Sequence, residues 1–304
     1  MKFNLIKKIL LIILIFIIFL KFVDIMFKKF VGLGNPLIYQ HSKIFGYDIK
    51  PNQKVKRRGK TISINDNGMR NLKDWNQKYD KKILFVGDSV TYGGSVINDE
   101  QTFALKTCQK FIKINILCGN FAVNGFGIEA ISKKIEFKNF SDEDLLILIF
   151  IGNDFERGLN HIGIQPYFSK KITNFYPALT ELMLIVLDKF RNKMRYNFIN
   201  FSESKETYLR YQFQEIDNLK KVLRNNNKEY FIFYSPELSE FENDKKYFYI
   251  KEKMFQEFEN FIDLTEDLKK HKENIYFDNV HLNEFGHQIY ADLIYKRIYS
   301  ELNF

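Results

Sequence analysis

Residues 81–304 are predicted to form an α/β domain on a five-stranded parallel sheet, and three observations carry that prediction. Short apolar runs rich in β-branched and aromatic residues recur at 82–87, 114–118, 145–151, 230–234 and 261–264. Between them lie stretches of helical length and spacing, at about 100–112, 127–137 and 209–223, with a last helix at 283–302. The run Leu145 to Ile151 reads Leu-Leu-Ile-Leu-Ile-Phe-Ile, with no polar position, as suits a central strand covered on both faces. Strands alternating with helices imply parallel pairing through right-handed crossovers.

Ahead of this domain lie a membrane helix (1–30) and a small β-rich segment (31–80). Lys2, Lys7 and Lys8 precede an unbroken apolar run from Ile9 to Leu20. Lys21 can snorkel, which lengthens the run to Val23 and brings it closer to a membrane span. The residues that follow, Phe22-Val23-Asp24-Ile25-Met26-Phe27, contain no small-residue cleavage site. An uncleaved signal anchor is therefore preferred to a cleaved signal. Lys21, Lys28 and Lys29 nearly balance the leading lysines. The N-terminus is taken as cytoplasmic and the body as extracytoplasmic.

In residues 31–80, Gly46, Pro51, Gly59 and Gly68 punctuate short alternating segments such as Thr61-Ile62-Ser63-Ile64, read as strands and turns lying against the main domain. Lys54 to Lys60 is read as a solvated loop. The net charge of +9 is concentrated at this end of the chain: 16 of the 46 basic and 5 of the 37 acidic residues fall in 1–80, leaving 30 and 32 for 81–304. A basic nucleic-acid surface would be expected near the site it serves, so no nucleic-acid partner is expected. Basic residues beside an anchor suit anionic head groups or glycans.

Nearly eighty residues separate the third and fourth strands, more than a crossover needs, so a helical insertion is placed at about 155–226. Leu209, Phe213, Ile216, Leu219 and Leu223 mark one amphipathic helix within it. The stretch Leu179 to Leu187 is apolar on nearly all sides. A buried helix is the preferred reading, and a lid or membrane-facing helix the alternative. Cys108 and Cys118 show no metal spacing. A disulfide suits them if the domain lies outside the cytoplasm, and two free buried thiols suit them equally.

The chemistry gathers at strand ends. Ser89 follows the strand Ile83-Leu84-Phe85-Val86 through Gly87-Asp88, at the rim where open α/β sheets bind ligands. Ester cleavage by serine needs a base, a carboxylate to orient it, and donors for the oxyanion. Asp278 stands three residues ahead of His281, close enough to turn back onto Nδ1 and leave Nε2 for the serine. Of the five histidines only His281 has such a neighbour; His287, within the last helix, is read as structural. Gly125, after the second strand, can offer an N–H, and Asn153, after the third, a side-chain amide. Taken singly, each of these clusters also reads as an ordinary turn or helix cap.

Gly87-Asp88-Ser89, Gly125, Gly152-Asn153-Asp154 and Asp278-x-x-His281 together resemble the four blocks of the SGNH, or GDSL-like, hydrolases, in order and in spacing, over about residues 81–304. The resemblance implies a flavodoxin-like three-layer domain with strand order 2-1-3-4-5. It implies Ser89 as nucleophile, His281 as base and Asp278 as its partner, with the Ser89 N–H, the Gly125 N–H and the Asn153 side chain as oxyanion hole. Val90 departs from the leucine of the family name. Gly46-Tyr47, Pro51-Asn52 and Asn65-x-Asn67-Gly68-Met69-Arg70 are similar to the segment preceding this domain in many bacterial envelope members. The α/β-hydrolase elbow, G-x-S-x-G, fits less well, since Gly87-x-Ser89 runs on to Thr91.

The expectation is a membrane-anchored serine ester hydrolase or O-acyltransferase that needs no metal or organic cofactor. Its substrate would be an acylated envelope glycan or lipid, and its membrane partner would be reached through the N-terminal helix. The alternative is a catalytically inactive binding or scaffold protein on the same fold.

Overall fold

The computed structural model describes residues 2–301, apart from 72, 139–141, 158–167, 169, 173, 200–204 and 244. His161 and Leu302 therefore lie outside the described residues. Helix α1 (Lys2–Met26) leads through a π-helical turn (Phe27–Val31) into two antiparallel hairpins. The first pairs β1 (Tyr39–Ser42) with β2 (Gly46–Ile49), the second β3 (Gln53–Arg57) with β4 (Lys60–Ile64). The sheet that follows holds β5 (Lys81–Gly87), β6 (Ile116–Asn120), β7 (Leu145–Phe150), β8 (Glu229–Tyr234) and β9 (Phe261–Asp263). Its order is β6-β5-β7-β8-β9, all parallel, which is the 2-1-3-4-5 arrangement expected. The second strand lies two residues later than the expected 114–118.

The central strands are buried on both faces, and their side chains alternate between two cores. Leu84, Val86, Leu146, Leu148 and Phe150 face one core; Ile83, Phe85, Leu145, Ile147 and Ile149 face the other. That division is the two-residue period of a strand acting on an all-apolar run. The first core is closed by α4 (Ile128–Glu136), α6 (Lys205–Asn226) and α7 (Phe248–Glu257), by both hairpins through Tyr39, Tyr47, Ile49, Val55, Ile62 and Ile64, and by Trp75 in the stretch that follows them. In α6, Ile216, Leu219 and Leu223 are buried as expected, and α5 (Pro177–Ile199) precedes it. The second core is closed by α3 (Phe103–Gln109), α8 (Thr265–Lys269), α9 (Lys272–Ile275) and α10 (Glu284–Glu301). Cys108 and Cys118 form a disulfide from the end of α3 to β6.

Residues 69–71 cover the edge of β6. Arg70 N–H donates to Asn120 O at 2.8 Å and Asn71 Nδ2 to Cys118 O at 2.8 Å. An edge strand is thereby shielded by the leading segment, which packs into the same core as the sheet.

Two sequence expectations need correction. Lys54 to Lys60 is not a loop: it forms most of the β3–β4 hairpin, with Val55 buried between exposed Lys54 and Lys56. One inward valine among lysines suffices for an edge hairpin that lies on a core. The stretch 179–187 is helical, within α5, but not buried: Met183, Val186 and Leu187 are 55–57% exposed. A sequence apolar all round does not distinguish a protein interior from another apolar surrounding.

Candidate active site

Ser89 opens α2 (Ser89–Tyr92), a single turn that starts where β5 stops. Asp88 caps it, its Oδ1 accepting the Val90 N–H at 2.8 Å. His281 comes from the other end of the domain, in the short loop between α9 and α10. There Tyr276 bridges Leu282, and the Phe277 N–H donates to His281 O at 2.7 Å. Asp278 folds this loop on itself: its Oδ1 accepts the N–H groups of Val280 and His281 at 2.9 and 2.8 Å. Asn279 pins the loop to the chain after β8, taking the Leu238 N–H on its carbonyl at 2.8 Å and the Ser239 N–H on its side chain at 3.1 Å.

The result is one hydrogen-bonded chain across 192 positions of sequence. His281 Nε2 lies 2.9 Å from Ser89 Oγ, and Nδ1 lies 2.8 Å from Asp278 Oδ2. With Asp278 ionised, Nδ1 carries the proton and Nε2 is free to accept one from the serine. Partial burial raises the Asp278 carboxyl. The N–H groups of His281 and Val280 and the imidazole itself outweigh that and hold it below the usual carboxylate range.

Gly125 and Asn153 stand at the C-terminal ends of the strands that flank β5. Neither hydrogen-bonds to Ser89; each is tied to it through neighbours. The Val123 N–H donates to Gly87 O at 3.1 Å, so Gly125 and Ser89 each lie two residues beyond one rung. Gly125 adopts φ +78°, a left-handed turn that costs a side chain more than it costs glycine. Asn153 sits in the 3-10 turn Gly152–Glu156 directly after β7. The Tyr247 ring lies so close over Gly152 that any β-carbon there would collide with it, which fixes the backbone ahead of Asn153.

A buried cluster beneath the serine was not foreseen. Arg157 Nη1 donates to Asp88 Oδ2 (3.2 Å), Asp154 Oδ1 (3.0 Å) and Phe126 O (3.2 Å), so one guanidinium joins the loops after β5, β6 and β7. Asp154 Oδ2 accepts the Ile151 N–H at 3.0 Å, and Ser89 Oγ also lies 3.2 Å from Asp88 Oδ2. Burial, then the Asp88 charge, push the Asp154 carboxyl well above the usual range against the pull of Arg157. Asp88 and Asp154 thus share a single guanidinium. Burial would lower the Arg157 guanidinium, but Asp154 and Asp88 more than reverse this. The buried acids are thereby paired with a cation and hydrogen-bonded, the form in which buried charges persist. The signal in sequence was slight: an acid and an arginine three residues apart.

The leading segment also reaches the site. Tyr47 Oη donates to Asn124 O at 2.5 Å, and Asn124 Nδ2 donates to Tyr39 Oη at 2.8 Å, holding the turn before Gly125 from β1 and β2.

A scan against protein-family models and a search of curated proteins find no match. Solved structures are similar. A two-domain esterase active on acetylated mannans shares 12% identity, with 72% of this chain and 48% of that chain covered and a TM-score of 0.43. An acetyl xylan esterase from the rumen bacterium Butyrivibrio proteoclasticus shares 14%, covering 75% and 66%, with a TM-score of 0.40. A psychrotrophic esterase from Pseudoalteromonas sp. shares 11%, covering 74% and 100%, with a TM-score of 0.43. The chain thus spans about half and just under two thirds of the lengths of the first two. No residue role rests on these likenesses.

His287, read as structural, is fully buried in α10 and stays out of the relay. Its Nδ1 accepts the Phe103 N–H at 3.1 Å and its ring stacks on Phe103. Burial first, then the charges of Arg70, Lys106 and His281, lower its pKa to about 3. Between pH 6.5 and 3 the unfolded chain therefore binds a proton that the folded chain refuses. The stability this neutral ring secures is fully present above pH 6.5 and is lost as the pH falls toward 3. Urea melts at pH 7 and pH 5 should show wild type losing on the order of 2 kcal/mol more than His287→Gln. Parallel losses would show that the ring does not carry this dependence.

Proposed function

We propose that the protein is a serine-dependent ester hydrolase or O-acyltransferase of the SGNH type, working through an acyl-enzyme on an acylated cell-envelope glycan or lipid. The observation that carries this reading is the Ser89–His281–Asp278 chain, with 2.9 and 2.8 Å links at the end of a parallel sheet. Ser89 Oγ attacks the ester carbonyl as its proton passes to His281 Nε2. Asp278, held ionised, stabilises the imidazolium. The Ser89 and Gly125 N–H groups and the Asn153 amide receive the oxyanion. Collapse breaks the C–O bond, and the leaving alkoxide takes the proton from His281. In the second half water, or a sugar hydroxyl, gives its proton to His281 and attacks the acyl-enzyme, and Ser89 is regenerated. No step calls for a metal or an organic cofactor.

Envelope placement is supported by the 28-residue apolar span Asn4–Val31, by the basic leading segment, and by a disulfide of the kind that persists in oxidising compartments.

Labelling with a fluorophosphonate tests the proposal. Wild type should be modified at Ser89 and Ser89→Ala should not, and the labelled form should have lost activity on acetylated glycans and short aryl esters. A protein that stays unlabelled while folded would leave only the non-catalytic reading of this fold. Competition between water and sugar acceptors then separates hydrolysis from transfer. Asn153→Ala should raise the barrier by about 2.7–4 kcal/mol, read as a fall in kcat on an aryl ester. A loss under about threefold would remove the amide from the oxyanion site.

A further inference from the structure

Helix α5 has two unlike faces. Ala178 and Glu181 are buried on one of them. Glu181 Oε1 pairs with Arg57 Nη2 at 2.6 Å, and Oε2 accepts the Gly34 N–H at 2.6 Å, which locks this side to the body. Met183, Leu184, Val186, Leu187 and Phe190 are exposed. At about 100° per residue they occupy an arc of roughly 160° centred opposite Ala178 and Glu181. The helix is held so that its apolar side points outward.

The start of α5 is joined to α1. Asp24, the one acid of α1, is buried, and its Oδ1 accepts the N–H groups of Ala178 and Leu179 at 2.9 and 3.0 Å. It thus caps α5 from another helix. Lys21 Nζ donates to Phe175 O at 2.6 Å and sits 4.3 Å from the centre of the Phe175 ring. The apolar span Asn4–Val31, most of it in α1, runs for 28 residues, while about 20 suffice for the hydrocarbon core. With Ile9 to Leu20 in that core and Lys7, Lys8 and Lys21 snorkelling to its two boundaries, Lys21 and Asp24 fall at the head-group level, and the first turn of α5 lies beside them. Aromatic and cationic groups gather there, as at a membrane boundary: Phe30 and Phe175 are exposed, as are Lys28, Lys29, Lys170 and Lys171.

We propose that the outward face of α5 lies in the lipid interface as a second membrane contact, so that the catalytic body is held against the bilayer surface at α5 as well as by α1. The occupant of this face is the bilayer, because α5 starts against the anchor helix α1, its exposed side is apolar as that of α1 is, and exposed cations beside them match anionic lipids. The inference rests on α1 entering the membrane and is independent of the chemistry at Ser89.

Single-cysteine probes on the full chain test it. Both native cysteines are in the disulfide, so Met183→Cys and Leu187→Cys can be labelled selectively with an environment-sensitive fluorophore. Ile12→Cys in α1 serves as the bilayer reference and Phe255→Cys in α7 as the water reference; all four sites are exposed in the structure. The chain is reconstituted in mixed phosphatidylcholine–phosphatidylglycerol vesicles. Probes at 183 and 187 should show blue-shifted emission, quenching by lipid-borne nitroxides and loss of quenching by iodide, as at 12. Iodide quenching at 183 and 187 equal to that at 255, with 12 in lipid, overturns the proposal. So does shielding from both quenchers, which would mean cover by a second copy or by another part of the chain. A probe at 12 that remains in water overturns the anchor and this inference together, whereas fluorophosphonate labelling of Ser89 is decided separately.

Discussion

Ser89→Ala is expected to lower turnover on any accepted ester by about three or more orders of magnitude, with the melting temperature unchanged. In the proposed mechanism the hydroxyl is the attacking group, and it is the group that hydrogen-bonds to His281 Nε2. The fold should tolerate the loss. Asp88 still caps α2 through the Val90 N–H, and among the described residues the hydroxyl hydrogen-bonds to His281 and Asp88 alone. His281→Ala should cost about as much, because a serine without its base is a weak nucleophile at neutral pH. The double variant should be little worse than either single one, since the two residues act as a unit. Burst-phase kinetics on an aryl ester, with a thermal melt of each variant, make the measurement. A single variant retaining more than about a tenth of wild-type turnover would dissociate the relay from catalysis.

Arg70→Ala is expected to cost about 3–5 kcal/mol of stability. Arg70 is fully buried. Its Nε pairs with Asp99 Oδ1 at 2.9 Å; Nη1 donates to Tyr92 O and Gly94 O at 2.7 and 2.8 Å, and Nη2 to Ile97 O at 2.7 Å. One side chain from the leading segment thereby satisfies the loop that follows the Ser89 turn. Removing it strands a buried carboxylate and three carbonyl groups. Arg70→Lys keeps the charge but cannot make the same fork, and should fall between alanine and wild type. Denaturant melts read both variants. A loss under about 1 kcal/mol for Arg70→Ala would mean that water or rearrangement replaces the guanidinium.

The two predictions differ in how far the sequence anticipated them. Ser89, His281 and Asp278 were legible because each lies in a short local pattern: a serine just past an apolar strand, and an acid three residues before a histidine. Arg70 appeared only within a motif similar to segments that precede such domains, with no hint of the loop it clamps. Its contacts with residues 92–99 are fixed by the sheet edge and not by any nearby spacing.

What the sequence determined by itself was the five strands of the main sheet and the short patterns around Ser89, Asp278 and His281, because periodicity and turn chemistry act over a few positions at a time; the strand order came from the family resemblance. Tertiary structure alone decided that Arg157 binds three loops into one cluster, that Tyr39 and Tyr47 hold the turn before Gly125, that the two cysteines are joined, and that α5 turns its apolar side outward. Each depends on which distant surfaces meet, and burial strength and charge pairing are set by that meeting and not by the residue's own neighbours in the chain.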